Sequence, residues 1–308
     1  ALVNLKRYEE AANLYASLPG KHPQSKYAQA AALAAGRLFH LAGKHNEAAK
    51  TLKPLAEGQG QTAIEAAHWL ARSLLALGKP NDALAAVEKV LPQASESSLL
   101  PQLLLDRADA VYEIPERRRD AVRLYAEIAE KHPKDAVAPQ ALYLASFAAL
   151  GQNDFDAALK YAAGFLAVHG SHELAPDVRF IAAESTLQKK QYAEAGKLFA
   201  DLLREYPRHA ETETWKVRLA LTLVLEKKHA EAVKFLQTEL KTLNSPQAMA
   251  EAQMLLGNSL LELGQLEQAV KALEAATATL NWRQADEALL SLAQALTQAK
   301  QPAKAKQT

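Results

Sequence analysis

The stretch Gln191-Tyr192-Ala193-Glu194-Ala195-Gly196-Lys197-Leu198-Phe199 decides how this chain is read, because its pattern returns along the whole sequence. With Ala195 as anchor, small residues recur at Ala11, Ala48, Ala83, Ala121, Ala158, Ala232, Ala269 and Ala305, in steps of 35 to 38 residues. Three further slots keep the register. Four residues after the anchor stands Tyr15, Leu52, Val87, Tyr125, Ala162, Phe199, Leu236 or Leu273. Twelve after it stands Pro23, Gly60, Ser95, Pro133, Gly170, Pro207, Asn244 or Asn281, each a turn former. Twelve before it stands Gly36, Ala71, Asp109, Ser146, Ala183, Ala220, Gly257 or Ala293. All of these are small except Asp109, where a one-residue slip substitutes Ala108.

These slots describe one physical unit. A small residue and an apolar one four positions later share a helical face. The small residue lets a neighbouring helix approach, and the turn former ends the helix. The small residue twelve back lies on a preceding helix, across short turns such as Leu77-Gly78-Lys79 and Leu263-Gly264-Gln265. The expected fold is therefore all-α, a right-handed α-solenoid of about eight helix-turn-helix repeats. The pattern resembles the tetratricopeptide repeat, with its small, aromatic, Ala and Pro slots. That repeat has a period of about 34 residues, and the extra residues here fall in the loops between units. Proline-containing loops and a period near 37 are similar to the repeats of bacterial envelope proteins. That resemblance implies an extracytoplasmic, periplasmic setting, with a cytoplasmic one as the alternative.

Bulk composition narrows the function classes. Hydrophobic residues make up 49% and aromatics only 6%, so Ala and Leu, both strong helix formers, carry the apolar content. Basic and acidic residues number 36 and 35, which argues against a nucleic-acid scaffold with a basic stripe. No stretch has the roughly 18 apolar residues of a membrane span. The sequence contains no cysteine, so disulfides and thiolate metal sites are excluded.

Three segments are expected. Residues 1–92 hold N-terminal repeats, the first lacking most of its first helix. Residues 93–115 form an irregular unit and candidate hinge, marked by the polar run Pro92-Gln93-Ala94-Ser95-Glu96-Ser97-Ser98, by Pro101 and by Ile114-Pro115. Residues 116–308 form a regular array whose last repeat is truncated. Within the first segment, residues 7–18 should be a lone second helix ended by Gly20-Lys21-His22-Pro23, and Thr62 should cap the helix that carries Trp69.

No catalytic constellation stands out. His22, His132 and His169 share one repeat slot, and His45 and His229 another, as structural residues do. His40 and His68 lie on successive first helices without a carboxylate at ligand spacing. Gly58-x-Gly60 lacks the strand and Lys-Ser/Thr of a phosphate loop, and Arg117-Arg118-Arg119 reads as a solvated helix start. The chain is expected to be no enzyme and to need no cofactor or metal.

The resemblance implies a concave groove, lined by first helices, that receives a partner peptide or helix. One residue after and three before the small slot should face it: Leu33, Arg37, His68, Arg72, Tyr143, Phe147, Phe180, Glu184, Val217, Leu221, Met254 and Asn258. The binding set drawn from this register is Arg37, His40, His68, Arg72, Tyr143, Phe147, Phe180 and Leu221, basic at one end and aromatic to aliphatic at the other. The family's two-carboxylate clamp uses Lys and Asn; Arg37 and Arg72 stand where Asn would be, so that mode is not implied. The expected function is a protein-interaction scaffold in envelope assembly, with a regulatory or substrate-recruiting arm of a larger multidomain enzyme as the alternative. The expected partner is a protein or peptide, and nothing in the sequence sets the oligomeric state.

Overall fold

A computed structural model describes residues 2–279 and 282–305, apart from the side chains of Pro302 and Ala303. The slot residue Asn281 lies outside the described residues. The described chain is α-helical, without a strand. It forms two compact units, Ala1–Leu174 and Ala175–Thr308. Unit 1 begins with the lone helix α1 (Tyr8–Lys21), followed by four hairpins. These pair α2 (Ala28–Leu41) with α3 (His45–Ala56), and α4 (Gln61–Ala76) with α5 (Pro80–Val90). They continue with α6 (Leu100–Glu113) and α7 (Arg118–Lys131), then α8 (Ala138–Gly151) and α9 (Phe155–His169). Unit 2 pairs α10 (Ala175–Gln188) with α11 (Tyr192–Glu205), and α12 (Thr212–Leu225) with α13 (His229–Glu239). It ends with α14 (Pro246–Glu262) and α15 (Leu266–Thr277), then α16 (Ala285–Gln298) and the short α17 (Pro302–Ala305).

One backbone device turns almost every hairpin. Five residues before the anchor the chain enters the left-handed region, at Lys6, Gly43, Gly78, Asn153, Lys190, Lys227, Gly264 and Lys300. The next N–H reaches back five residues to a helix carbonyl, as in Lys44 N–H to Phe39 O at 2.8 Å and Lys228 N–H to Leu223 O at 2.9 Å. This is the Schellman arrangement, which satisfies the last carbonyls and reverses the chain. The exception is the hairpin of α6 and α7. There Pro115 forces Ile114 into an extended conformation with ψ 109°, and a 3-10 turn over Pro115–Arg117 replaces the left-handed residue. The added residues account for the 38-residue step.

The repeat slots meet in space. Eight anchors from Ala11 to Ala269 are buried, and so are the residues four later from Leu52 to Leu273. A Cβ added at Gly257 would fall 2.5 Å from Leu273 Cγ, and one added at Gly36 would collide with Leu52. The small residue on the first helix thus makes room for the large one on the second. Tyr15 holds the same slot on α1 but is 45% exposed, because within the described residues no first helix precedes α1. Trp215, Tyr125, Phe165 and Phe199 are the largest fully buried side chains.

Some local expectations change. α1 runs through Pro19 and Gly20 to Lys21 instead of ending at residue 18. Gly60, at φ 76°, is the cap of α4 in place of Thr62, and its N–H binds Gln93 Oε1 at 2.8 Å. The segment 93–115 lies inside unit 1, whose core includes Ala94, Leu103, Ala108 and Ile114. The boundary between compact units falls at residues 174 and 175.

Candidate recognition site on the first helices

In unit 1 the first helices α2, α4, α6 and α8 carry a row of polar and aromatic side chains. Arg37 is exposed on α2 and forms no ion pair among the described residues. His40, three residues on, places Nδ1 3.0 Å from Ser73 Oγ. The Ser73 hydroxyl donates to Trp69 O at 2.7 Å, so the imidazole must donate through Nδ1. Burial, then the nearby His45, Arg72 and His68, push His40 down to about 4.

His68 has the carboxylate that its sequence neighbourhood lacks. Its Nδ1 lies 2.6 Å from Oδ2 of Asp106, which is only 1% exposed on α6. Arg72 approaches the other oxygen of Asp106 at 3.7 Å. Burial pushes the Asp106 carboxyl up, against the pull of His68 and Arg72. Asp106 is 38 residues from His68, one repeat on, which is why spacing within a helix does not disclose the pair. The signal that was present is two carboxylates, Asp106 and Asp109, on the apolar stretch of an otherwise ordinary first helix.

Beyond Asp106 lies a cleft of about 330 Å³. Helix α4 gives it Arg72 and Leu75, α6 gives Asp109, Tyr112 and Glu113, α7 gives Tyr125, and α8 gives Leu144 and Phe147. Phe147 is 44% exposed, stacks 6.1 Å from Tyr143 and lies 6.5 Å from Tyr112. Arg118 donates through Nε to Tyr112 O at 3.1 Å and covers that ring at 5.6 Å, while Arg117 pairs with Asp120 at 3.6 Å. The arginine run is therefore a helix start with local partners.

The structure thus brings His40, His68, Arg72, Tyr143 and Phe147 into one network with residues that sequence register did not select. Phe180 and Leu221 lie in unit 2. Phe180 is half-buried against Phe199, with ring centroids 6.1 Å apart, and Leu221 packs partly buried on the unit's core. Val217 and Met254, which the register also turned outward, are core residues at 3% exposure. At Val217 and Met254 the slot three before the small residue turns into the helix packing, and the slot one after it, held by Glu184, Leu221 and Asn258, is half-buried. On α10, α12 and α14, Arg218 bridges Glu184 at 3.3 Å and Glu251 at 2.9 Å. Among the described residues no three His, Cys, Asp or Glu side chains come together as a metal-binding set. No described helix is long and apolar enough to cross a membrane.

The family model for the tetratricopeptide repeat matches residues 143–210 and 254–306. The solved structure of a tetratricopeptide repeat protein from Parabacteroides merdae is similar over 87% of this chain and 98% of its own, at 17% identity and a TM-score of 0.55. The apo form of RapI is similar over 86% of this chain and 99% of its own, at 11% identity and a TM-score of 0.55. At these identities the likeness is one of fold. No curated protein matches the sequence.

Proposed function

We propose that this chain, whose residues 143–210 and 254–306 match the tetratricopeptide repeat and whose fold is like that of a solved tetratricopeptide repeat protein, is a non-catalytic scaffold that holds a peptide or helix of a partner protein on the first helices of unit 1. The repeat class is generally non-catalytic and built for protein–protein contact. The observation that carries the site is Phe147, a large aromatic left 44% exposed beside Tyr112 and Tyr143 at the mouth of a cleft. Exposed aromatics flanked by polar groups are the usual anchors of such contacts. Arg37 supplies an accessible positive charge further along the row, fitted to an acidic group of the partner. Arg72 serves less well for that purpose, since Asp106 already faces it. A bacterial envelope role belongs to the same proposal and rests on the repeat length and the proline-containing loops.

The test is capture of partners by the full chain from the source cell's envelope and cytosolic fractions, repeated with Phe147→Ala and with Arg37→Glu. Phe147→Ala should accelerate dissociation of a captured partner, by about 2 kcal/mol if it is a hot spot. Arg37→Glu should slow association and flatten its salt dependence. Capture of the same partners in the same amounts by both variants would move the site elsewhere.

A further inference from the structure

The cleft beneath Phe147 has a charge pattern of its own. Asp109 stands at its base, with Oδ1 accepting the Tyr125 hydroxyl at 2.7 Å and Oδ2 without a hydrogen-bonding side chain among the described residues. Glu113, one turn along α6, is exposed and forms no ion pair among the described residues. Arg72 also lines the cleft, but its guanidinium is matched by Asp106 at 3.7 Å. Glu113 is therefore left without a cation, and Asp109 has only the share of Arg72 that Asp106 does not take. The walls are the Tyr112 and Phe147 rings, 6.5 Å apart and tilted by 51°. One ring already holds a guanidinium, because Arg118 lies 5.6 Å over Tyr112.

From this geometry we infer that the cleft takes one basic side chain of the partner, a lysine or arginine laid over Phe147 with its charge against Glu113 and Asp109. This deepens the scaffold reading and rests on it. An aromatic face attracts a cation, more strongly where water is partly excluded. A carboxylate entering the same space would meet two of its own charge. The volume, about 330 Å³, is at the low end of the roughly 300–1,000 Å³ range of ligand pockets, enough for one long side chain and too little for a folded element. The long apolar stem of a lysine or arginine would lie along Leu75 and Leu144.

The experiment compares benzylammonium and benzoate, the same ring with opposite charge, titrated into the full chain while the ring signals of Tyr112 and Phe147 are followed by NMR. Benzylammonium should move both sets of signals, and benzoate neither. Glu113→Gln, at an exposed position that leaves the fold intact, should weaken benzylammonium about threefold, the worth of a solvent-screened ion pair. Equal binding of the two probes, no response of either ring, or an unchanged affinity in Glu113→Gln would overturn the inference. Partner capture that persists when the probes show no preference would remove the cation and keep the scaffold. A clear preference for benzylammonium in a chain that captures no protein would keep the cleft's chemistry and remove the scaffold.

Discussion

Tyr125 donates its hydroxyl to Asp109 Oδ1 at 2.7 Å, across the contact where Gly36 faces Leu52 and Gly257 faces Leu273 in other repeats. A position that elsewhere accepts only a small residue here holds a carboxylate, because the large residue opposite brings a donor. Tyr125→Phe keeps the ring and deletes that donor. It should cost about 1–3 kcal/mol near pH 8, the penalty of stranding a buried acceptor. Adding Asp109→Ala should recover part of the loss, so chemical denaturation of the four-member cycle is the measurement. A Tyr125→Phe variant as stable as the parent would mean that Asp109 is satisfied by water.

Burial, more than the neighbouring Asp106 and Glu113, pushes the Asp109 carboxyl up to about 6, against the Tyr125 hydrogen bond and Arg72. Between about pH 4 and 6 the folded chain therefore binds a proton that the unfolded chain has lost, and stability falls as pH rises through that window. His40 works the other way. Its imidazole is held down at about 4, so its contribution is present above the unfolded value near 6.5 and is lost as pH falls. Asp109→Asn should remove the first slope and raise stability at pH 8 relative to pH 5, by on the order of 2 kcal/mol. His40→Gln should make the protein more acid-tolerant. Melting temperatures at pH 5 and 8 for parent and both variants check the signs, and parallel profiles for all three would refute both assignments.

Gly257→Ala would bring a Cβ within 2.5 Å of Leu273 Cγ. Overpacking of this kind costs about 1–3 kcal/mol. Leu273→Val in the same chain should return much of it, since Ala71 already coexists with Val87 in the hairpin of α4 and α5. Additive effects in the double variant would show that the two residues do not share the contact.

Lys190 and Lys227 hold φ 62° in the hairpin turns of unit 2, where three other hairpins place glycine at the same slot. A residue with a Cβ is strained there by roughly 1–2 kcal/mol. Lys190→Gly should raise the unfolding free energy by about 0.5–1 kcal/mol, the strain relieved less the entropy that glycine loses. Lys190→Val should lower it. Guanidinium midpoints for the two variants decide the matter, and identical midpoints would mean the turn relaxes.

The repeat was legible because its anchors obey local rules: a small residue, a large one four later, a turn former beyond. Each hairpin from α2 to α15 lies where that register places it. The left-handed turn slot was only half visible. Gly43, Gly78 and Gly264 advertise it, while Lys6, Lys190, Lys227 and Lys300 adopt it under the hydrogen bonds of the surrounding turn. The site was less legible still. Arg37, Arg72 and Phe147, which register turned outward, are exposed, but register treated Val217 and Met254 as equivalent to His68 and Tyr143, and they are core. Asp106 and Asp109 stood out only as irregularities of their unit, and their pairing was hidden because the partners, His68 and Tyr125, lie on other helices, 38 and 16 residues away.

The pairing of the small slot with the residue sixteen later has a consequence for how such a chain lengthens or shortens. Gly36 with Leu52, Asp109 with Tyr125 and Gly257 with Leu273 each lie within one hairpin, so the matched volumes travel together when a segment is duplicated or deleted between hairpins. A cut at a hairpin turn separates them and sets a glycine opposite a tyrosine, or an aspartate opposite a leucine. Exchange of whole units between the loops is therefore the inheritance this architecture tolerates, and crossovers inside a hairpin are the ones it rejects.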